Sequence, residues 1–135
     1  MKKQILVMTI LLASFSYAQE VGPKALGSDR DKHGCIGSAG YTYSQIKKDC
    51  IRLFEQKVLL KEANPKGSYT SNAAVVFSED HKKAEIFLPT SKGSVILSRT
   101  TSYKNTTVYK KGGLTLIKDK DNYTLTRSKK IIYSL

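Results

Sequence analysis

Between residues 58 and 133 the sequence divides into short apolar runs, each ended within a few residues by turn-forming side chains. The apolar parts of these runs lie at 58–60, 73–77, 84–88, 95–97, 108–109, 114–116, 123–125 and 131–133. In one of them Ala84, Ile86 and Leu88 alternate with Glu85 and Phe87, as in a half-buried strand. Short strands at this spacing are typical of an antiparallel sheet that curls or closes. We therefore predict a mainly β (α+β) fold with an antiparallel sheet or partly closed barrel of six to eight strands.

The segment at 31–55 differs from the rest, because a glycine-rich stretch is followed by a pattern with helical periodicity. Four residues of that pattern recur on one helical face: Ile46, Cys50, Leu53 and Phe54. Thr42 followed by Gln45 fits a capping box, in which the threonine oxygen accepts hydrogen bonds from exposed backbone N–H groups. We predict one short helix over residues 43–56, preceded by a tight glycine loop.

The two cysteines, Cys35 and Cys50, both fall in this segment. In an exported chain an even pair indicates a disulfide, which would tether the loop to the helix and contribute about 3 kcal/mol. A reactive thiol at Cys35 assisted by His33, or a zinc site using these side chains and His81, is disfavoured. Export favours oxidation, and no metal-ligand spacing organises the four residues.

The first residues have the layout of a secretory signal peptide: Lys2 and Lys3, an apolar run, and a small residue at Ala18. The apolar run is shorter than the roughly 20 residues of a membrane span. We predict a signal peptide at 1–18, a flexible lead-in at 19–30 and a single disulfide-stapled β-rich domain at 31–135, with no transmembrane segment in the mature chain. The expected location is periplasmic or secreted.

The chain is strongly basic, with 23 Lys and Arg against 11 Asp and Glu and a formal net charge of +12. Removal of Lys2 and Lys3 with the leader leaves +10. Charge of this size favours an anionic partner such as an acidic polysaccharide, a lipid surface or an acidic protein. Nucleic acid is the least suitable polyanion for an exported protein. The alternative is that the lysines keep the protein soluble and protect strand edges from aggregation.

Basic residues cluster along the later strands with tyrosines among them, and the sequence has no tryptophan. Lysines and tyrosines on one strand face would bind an anionic polymer by charge and ring stacking. The residues that we predict to contact the ligand are Lys104, Tyr109, Lys110, Lys111, Lys118, Tyr123, Arg127, Lys129 and Lys130.

Carboxylates that could serve as catalytic acids and bases are scarce, and most of them sit in turns beside lysines. Asp31 and Glu55 bracket the disulfide segment, where loop formation and helix-end position account for them. We therefore predict a protein that is not an enzyme, with no catalytic residues, no metal and no cofactor.

Two resemblances bear on this interpretation. The elements Gly34-Cys35, Ser38-Ala39-Gly40-Tyr41 and Cys50-Ile51-Arg52 resemble a segment of small exported bacterial proteins of unknown function. That resemblance implies export and an envelope setting, and it implies no activity. The strand-rich half is faintly similar to the C-type lysozyme inhibitors, which are small antiparallel barrels, through the spacing of Tyr109 and Gly113. Ile117 stands at the family's tryptophan position, so the likeness extends to architecture alone.

These observations together predict a non-enzymatic exported protein that binds an anionic envelope component, either a polysaccharide or a lipid headgroup. The alternative function is inhibition of a secreted hydrolase such as lysozyme. Steep weakening of binding by salt is expected for the first function, and a salt-resistant complex with one protein is expected for the second.

Overall fold

The computed structural model describes residues 29–135. The predicted signal peptide at 1–18 lies outside the described residues, as does the lead-in except for Asp29 and Arg30. The strands of the described part are β1 (Tyr41–Ser44), β2 (Asp49–Arg52), β3 (Val58–Glu62), β4 (Asn72–Phe77), β5 (Lys83–Phe87), β6 (Val95–Tyr103), β7 (Thr106–Lys111), β8 (Leu114–Asp119), β9 (Asn122–Arg127) and β10 (Lys130–Ser134). Two short 3-10 helices lie at Gly37–Ala39 and Leu53–Glu55. Among residues 29–135, none of the helical segments has the length and apolar character that crossing a membrane requires.

Strands β3 to β10 form a closed antiparallel barrel in which each strand pairs with its neighbour in sequence. The ring is closed by β10 against β3, with Tyr133 opposite Glu62 and Ser134 opposite Lys61. The prediction of a mainly β, antiparallel fold is therefore confirmed. Closure is complete, because the first and last barrel strands pair directly with each other.

The inside of the barrel is filled by the apolar residues of the alternating pattern. Tyr109, Leu116, Leu125 and Tyr133 lie opposite one another on four successive strands and form one interior layer. Leu60, Ile86 and Leu97 are fully buried in the same cluster. An eight-stranded barrel is just wide enough for side chains to fill it. The interior is thus a packed core, and binding surfaces have to lie on the outside or at the ends.

The helix predicted at 43–56 is wrong. This segment is the hairpin β1–β2 followed by the 3-10 helix at Leu53–Glu55. Thr42 is a strand residue that pairs with Ile51, so it does not cap a helix. The hairpin turns at Lys48, whose φ of 54° is a left-handed backbone conformation. A tertiary interaction favours the hairpin over the predicted helix. The backbone N–H groups of Gln45 and Ile46 donate to the carboxylate of Glu85 on the barrel.

The disulfide prediction is confirmed. Cys35 and Cys50 are joined with a Cα–Cα distance of 5.5 Å, and Cys35 is buried. The loop before Cys35 is held by Asp31, whose Oδ1 accepts from the N–H groups of His33 at 2.8 Å and Cys35 at 2.9 Å. These hydrogen bonds, chiefly the one from Cys35, lower the pKa of the Asp31 carboxyl. The disulfide therefore ties an ordered loop to strand β2.

The disulfide hairpin, residues 31–55, packs on the outer surface of the barrel. Its Ile46, Ile51 and Leu53 contact a second apolar cluster made by Ala74, Val76 and Phe87 of β4 and β5. This contact explains why β5 is buried on both faces, although its alternation predicts a half-buried strand. Inward-facing Ala84 and Ile86 line the barrel core, and outward-facing Glu85 and Phe87 lie beneath the hairpin.

Candidate anion-binding site

The excess positive charge of the protein is not neutralised within the described part of the chain. Between two residues of the part 29–135, the one ion pair is the salt bridge of Arg52 with Glu55, at 3.0 Å. Other carboxylates serve the fold instead: Asp31 accepts from loop N–H groups, Glu62 from Ser71 and Glu85 from the hairpin. The lysines of residues 29–135 consequently have no carboxylate partner within 4.0 Å, which leaves their charge available to a ligand.

Tyr109 does not belong to the binding surface, and the prediction is wrong for this residue. Its side chain is 1% exposed and lies in the interior layer with Leu116 and Leu125. Its hydroxyl donates to the backbone carbonyl of His81 at 2.9 Å, and its ring lies 5.4 Å from that of Phe77. Burial raises the pKa of the Tyr109 hydroxyl. Tyr109 is a core residue.

The remaining predicted residues fall at two opposite ends of the barrel instead of on one strand face. Five of them lie at the end where β7 and β9 finish and β8 and β10 begin. We call these five residues the basic rim: Lys110, Lys111, Arg127, Lys129 and Lys130. The register brings them together, because Leu114 pairs with both Lys111 and Arg127, and Arg127 pairs with Lys130.

The other three predicted residues, Lys104, Lys118 and Tyr123, lie at the far end of the barrel. Lys118 pairs with Tyr123 across β8 and β9, and Lys104 occupies the turn between β6 and β7. The Tyr123 ring is partly buried 6.1 Å from that of Phe77, and its pKa is raised by burial and by the nearby charge of Asp121. This end mixes acidic with basic groups, so we do not include it in the candidate site.

A pocket of about 230 Å³ opens beside the basic rim. We call it the rim pocket, and its cationic lining residues are Lys66, Arg127 and Lys130. Its one acidic residue, Glu62, already accepts a hydrogen bond from the Ser71 hydroxyl at 2.9 Å. That hydroxyl lies 3.0 Å from the hydroxyl oxygen of Tyr133, so the two groups link β10 to the start of β4. The pocket therefore has three cations and a carboxylate engaged in the fold.

Lys66 was missed by reasoning from the sequence, since it lies in the loop between β3 and β4, far along the chain from Arg127 and Lys130. The strand order of the predicted barrel was the signal that could have placed Lys66 near these residues. In an up-and-down barrel the β3–β4 loop and the β9–β10 turn emerge at the same end, so the turn residues Asn64-Pro65-Lys66-Gly67 belong with the basic rim.

The rim pocket has the chemistry to hold a carboxylate, sulfate or phosphate group. The planar guanidinium of Arg127 can form a bidentate hydrogen bond with such a group. Lys66 and Lys130 each add a positive charge. Over residues 29–135 there is no group of three or more His, Cys, Asp or Glu side chains arranged to hold a metal ion.

Comparison of the chain with protein-family models, with curated proteins and with solved structures gives no match.

Proposed function

We propose that this protein is a non-enzymatic exported binding protein whose basic rim and rim pocket hold the anionic groups of an envelope component, a polysaccharide or a lipid headgroup. The observation that carries the proposal is the convergence of Lys66, Arg127 and Lys130 on one pocket, where none of the three forms an ion pair with a carboxylate of residues 29–135. Unpaired cations at the same end of a rigid barrel attract anions and are not compensated internally.

The closed barrel also bears on the alternative that lysines protect strand edges. Each of the strands β3 to β10 has a paired neighbour on both sides, so none of them is the edge strand of an open sheet. The cations of the basic rim lie at strand ends and in a turn, together at one end of the barrel. This arrangement supports binding over edge protection.

The proposed location is the periplasm or the outside of the cell. The Cys35–Cys50 disulfide is of the kind that persists in oxidising compartments. Together with the signal peptide predicted at 1–18, it supports an envelope ligand.

The proposal is tested by binding of the oxidised protein to a soluble polyanion, polygalacturonate, and to vesicles of phosphatidylglycerol over a series of salt concentrations. The test variant is Arg127→Gln/Lys130→Gln, and the control is Lys57→Gln/Lys118→Gln, which removes the same charge at the opposite barrel end. Each exposed charge contact contributes up to about 1 kcal/mol, so we expect the test variant to bind roughly tenfold more weakly at low salt. The control variant should lose much less.

The two probes separate the two sources of anionic groups, since binding to polygalacturonate alone indicates a polysaccharide and binding to vesicles alone indicates a headgroup. Affinity that does not change with salt, or equal losses in the test and control variants, would refute the proposal. A salt-resistant complex with a secreted hydrolase such as lysozyme, together with inhibition of that enzyme, would replace it with the inhibitor function.

A further inference from the structure

A second concave surface lies outside the basic rim, between the disulfide hairpin and the loop that joins β5 to β6. It is a groove of about 910 Å³. We call it the disulfide groove, and we define it by its functional lining residues Lys32, His33, Tyr43, Gln45, Lys48 and Lys92. None of these residues was predicted to bind a ligand, because the sequence shows them on three separate stretches of chain.

The disulfide groove is cationic. Lys32, Lys48 and Lys92 are all exposed, and each comes from a different segment: the loop before the disulfide, the hairpin turn and the β5–β6 loop. Asp31 is the one acidic residue of the lining, and its Oδ1 is occupied by the N–H groups of His33 and Cys35. The groove therefore presents three positive charges and a carboxylate whose hydrogen bonds hold the loop.

The groove also contains a flat ring surface. The imidazole of His33 stacks on the phenol ring of Tyr43, with ring centroids 3.7 Å apart and ring planes within 7° of parallel. His33 is exposed, Tyr43 is partly buried, and both residues line the groove. In a chain without tryptophan, this stacked pair is suited to packing against a sugar ring.

Neutral hydrogen-bonding groups also line the groove. The side-chain amide of Gln45 donates to the Ser94 hydroxyl oxygen at 2.9 Å, and Ser94 in turn donates to buried Glu85. These hydrogen bonds tie Gln45 of the disulfide hairpin to the barrel, so the amide and the hydroxyl are held at defined positions. A ring surface, fixed amide and hydroxyl groups and three cations suit an acidic sugar better than a lipid headgroup or a bare polyphosphate, which need charge alone.

The disulfide groove and the rim pocket are connected by one loop. Leu88 and Thr90 line the rim pocket, whereas Lys92 and Ser94 line the groove. Six peptide units separate Leu88 from Ser94, so their Cα atoms are at most about 22 Å apart. A single extended oligosaccharide is long enough to reach both surfaces.

From this geometry we propose that the disulfide groove is the sugar-recognising subsite for an acidic polysaccharide, and that further charged units of the same chain reach the rim pocket. This inference rests on the proposed function and adds the ligand class, a polymer of acidic sugars. Ring stacking and fixed hydrogen bonds supply selectivity in the groove, and the rim pocket supplies additional charge contacts.

The experiment compares oligogalacturonates of increasing length with polyphosphate of equal charge, at one fixed ionic strength, using the oxidised full-length mature protein. His33→Ala removes the outer ring of the stack and changes an exposed side chain. We expect it to weaken galacturonate binding about fivefold and to leave polyphosphate binding unchanged, because polyphosphate has no ring to stack. Lys32→Gln/Lys92→Gln should weaken binding of both probes, and Lys57→Gln/Lys118→Gln is the charge-matched control.

Chain length provides a second readout. The affinity for short oligogalacturonates should be lowered by the groove variants alone. The affinity for longer ones should also be lowered by Arg127→Gln/Lys130→Gln. Equal affinity for the two probes, or an equal loss of affinity for both in His33→Ala, would overturn the assignment of the groove as a sugar-recognising subsite. The proposed function would still stand. Absence of binding to every polyanion would overturn both. Urea denaturation of each variant verifies that the fold is retained.

Discussion

Replacement of Glu85 by glutamine should loosen the attachment of the disulfide hairpin to the barrel. Oε2 of Glu85 accepts from the Ser44 hydroxyl at 2.6 Å and from the Ile46 N–H at 3.1 Å. Oε1 accepts from the Gln45 N–H at 2.8 Å and from the Ser94 hydroxyl. The side chain is fully buried, and all four of its partners are donors. A carboxylate satisfies every one of them.

In Glu85→Gln one oxygen becomes an NH2 group, which can only donate. The hydroxyl beside it can rotate and accept, but the backbone N–H beside it cannot. In either orientation of the new amide, the N–H of Gln45 or of Ile46 loses its acceptor. An unsatisfied donor of this kind costs about 1–3 kcal/mol, so we expect a loss of about 2 kcal/mol in the free energy of unfolding.

Urea denaturation of the oxidised protein measures this loss. With a slope near 2 kcal/mol per molar urea, the midpoint should fall by about 1 M. Amide exchange at Gln45 and Ile46 should also accelerate, since one of these N–H groups loses its partner. Glu55→Gln is the control, because Glu55 is exposed and forms a surface ion pair worth at most about 1 kcal/mol. A midpoint for Glu85→Gln no lower than that of Glu55→Gln would refute the reasoning.

Three further predictions concern the disulfide and Tyr109. Cys35→Ala/Cys50→Ala should lower the free energy of unfolding by about 3 kcal/mol, as judged by urea denaturation, and added reductant should then have no further effect. Tyr109→Phe removes the hydrogen bond to His81 and should cost about 1 kcal/mol in the same assay, with affinity for polygalacturonate unchanged because the ring is in the core. The raised pKa of Tyr109 means that the unfolded chain loses this proton first as pH rises through 10.0. The contribution of Tyr109 to the free energy of unfolding is therefore complete below pH 10.0 and is lost as the pH rises toward the folded-state pKa. Thermal unfolding measured over this pH range should show a shallower fall in Tyr109→Phe.

The barrel strands could be predicted from the sequence because the signal for each is local. Each strand needs apolar residues on its inner side and turn residues at its ends, and both are visible within about ten residues. The structure has a strand at every apolar run from β3 to β10. Pairing between sequence neighbours then needs no information from distant parts of the chain.

The disulfide hairpin could not be predicted in the same way. Ile46 and Leu53 fit a helical face, yet Phe54 of the same face is 65% exposed in the structure. The deciding partner, Glu85, lies about forty residues away in sequence. Strand-forming Tyr41 and Tyr43 were the local signal for β1, and the helical spacing outweighed it.

The candidate site was predicted only in part, because a residue belongs to it only if its side chain lies on the outside of the barrel and at the correct end. Arg127 and Lys130 were identified from charge clustering, and they do lie together. Tyr109 was misassigned, since Val108 and Tyr109 are both apolar and the alternation does not reveal which of them points inward. Lys66 and Lys92 join their pockets through loops that converge only once the barrel is closed.

The closure of β10 against β3 also has a consequence for the kinetics of folding. Every other pairing in the barrel joins strands that follow one another in sequence, so these contacts form with little loss of chain entropy. The β3–β10 pairing connects opposite ends of the barrel sequence and requires closure of a long loop. We therefore expect folding to proceed by the rapid addition of successive hairpins to an open ribbon. The slow step is then the formation of this last seam, which converts the ribbon into a ring.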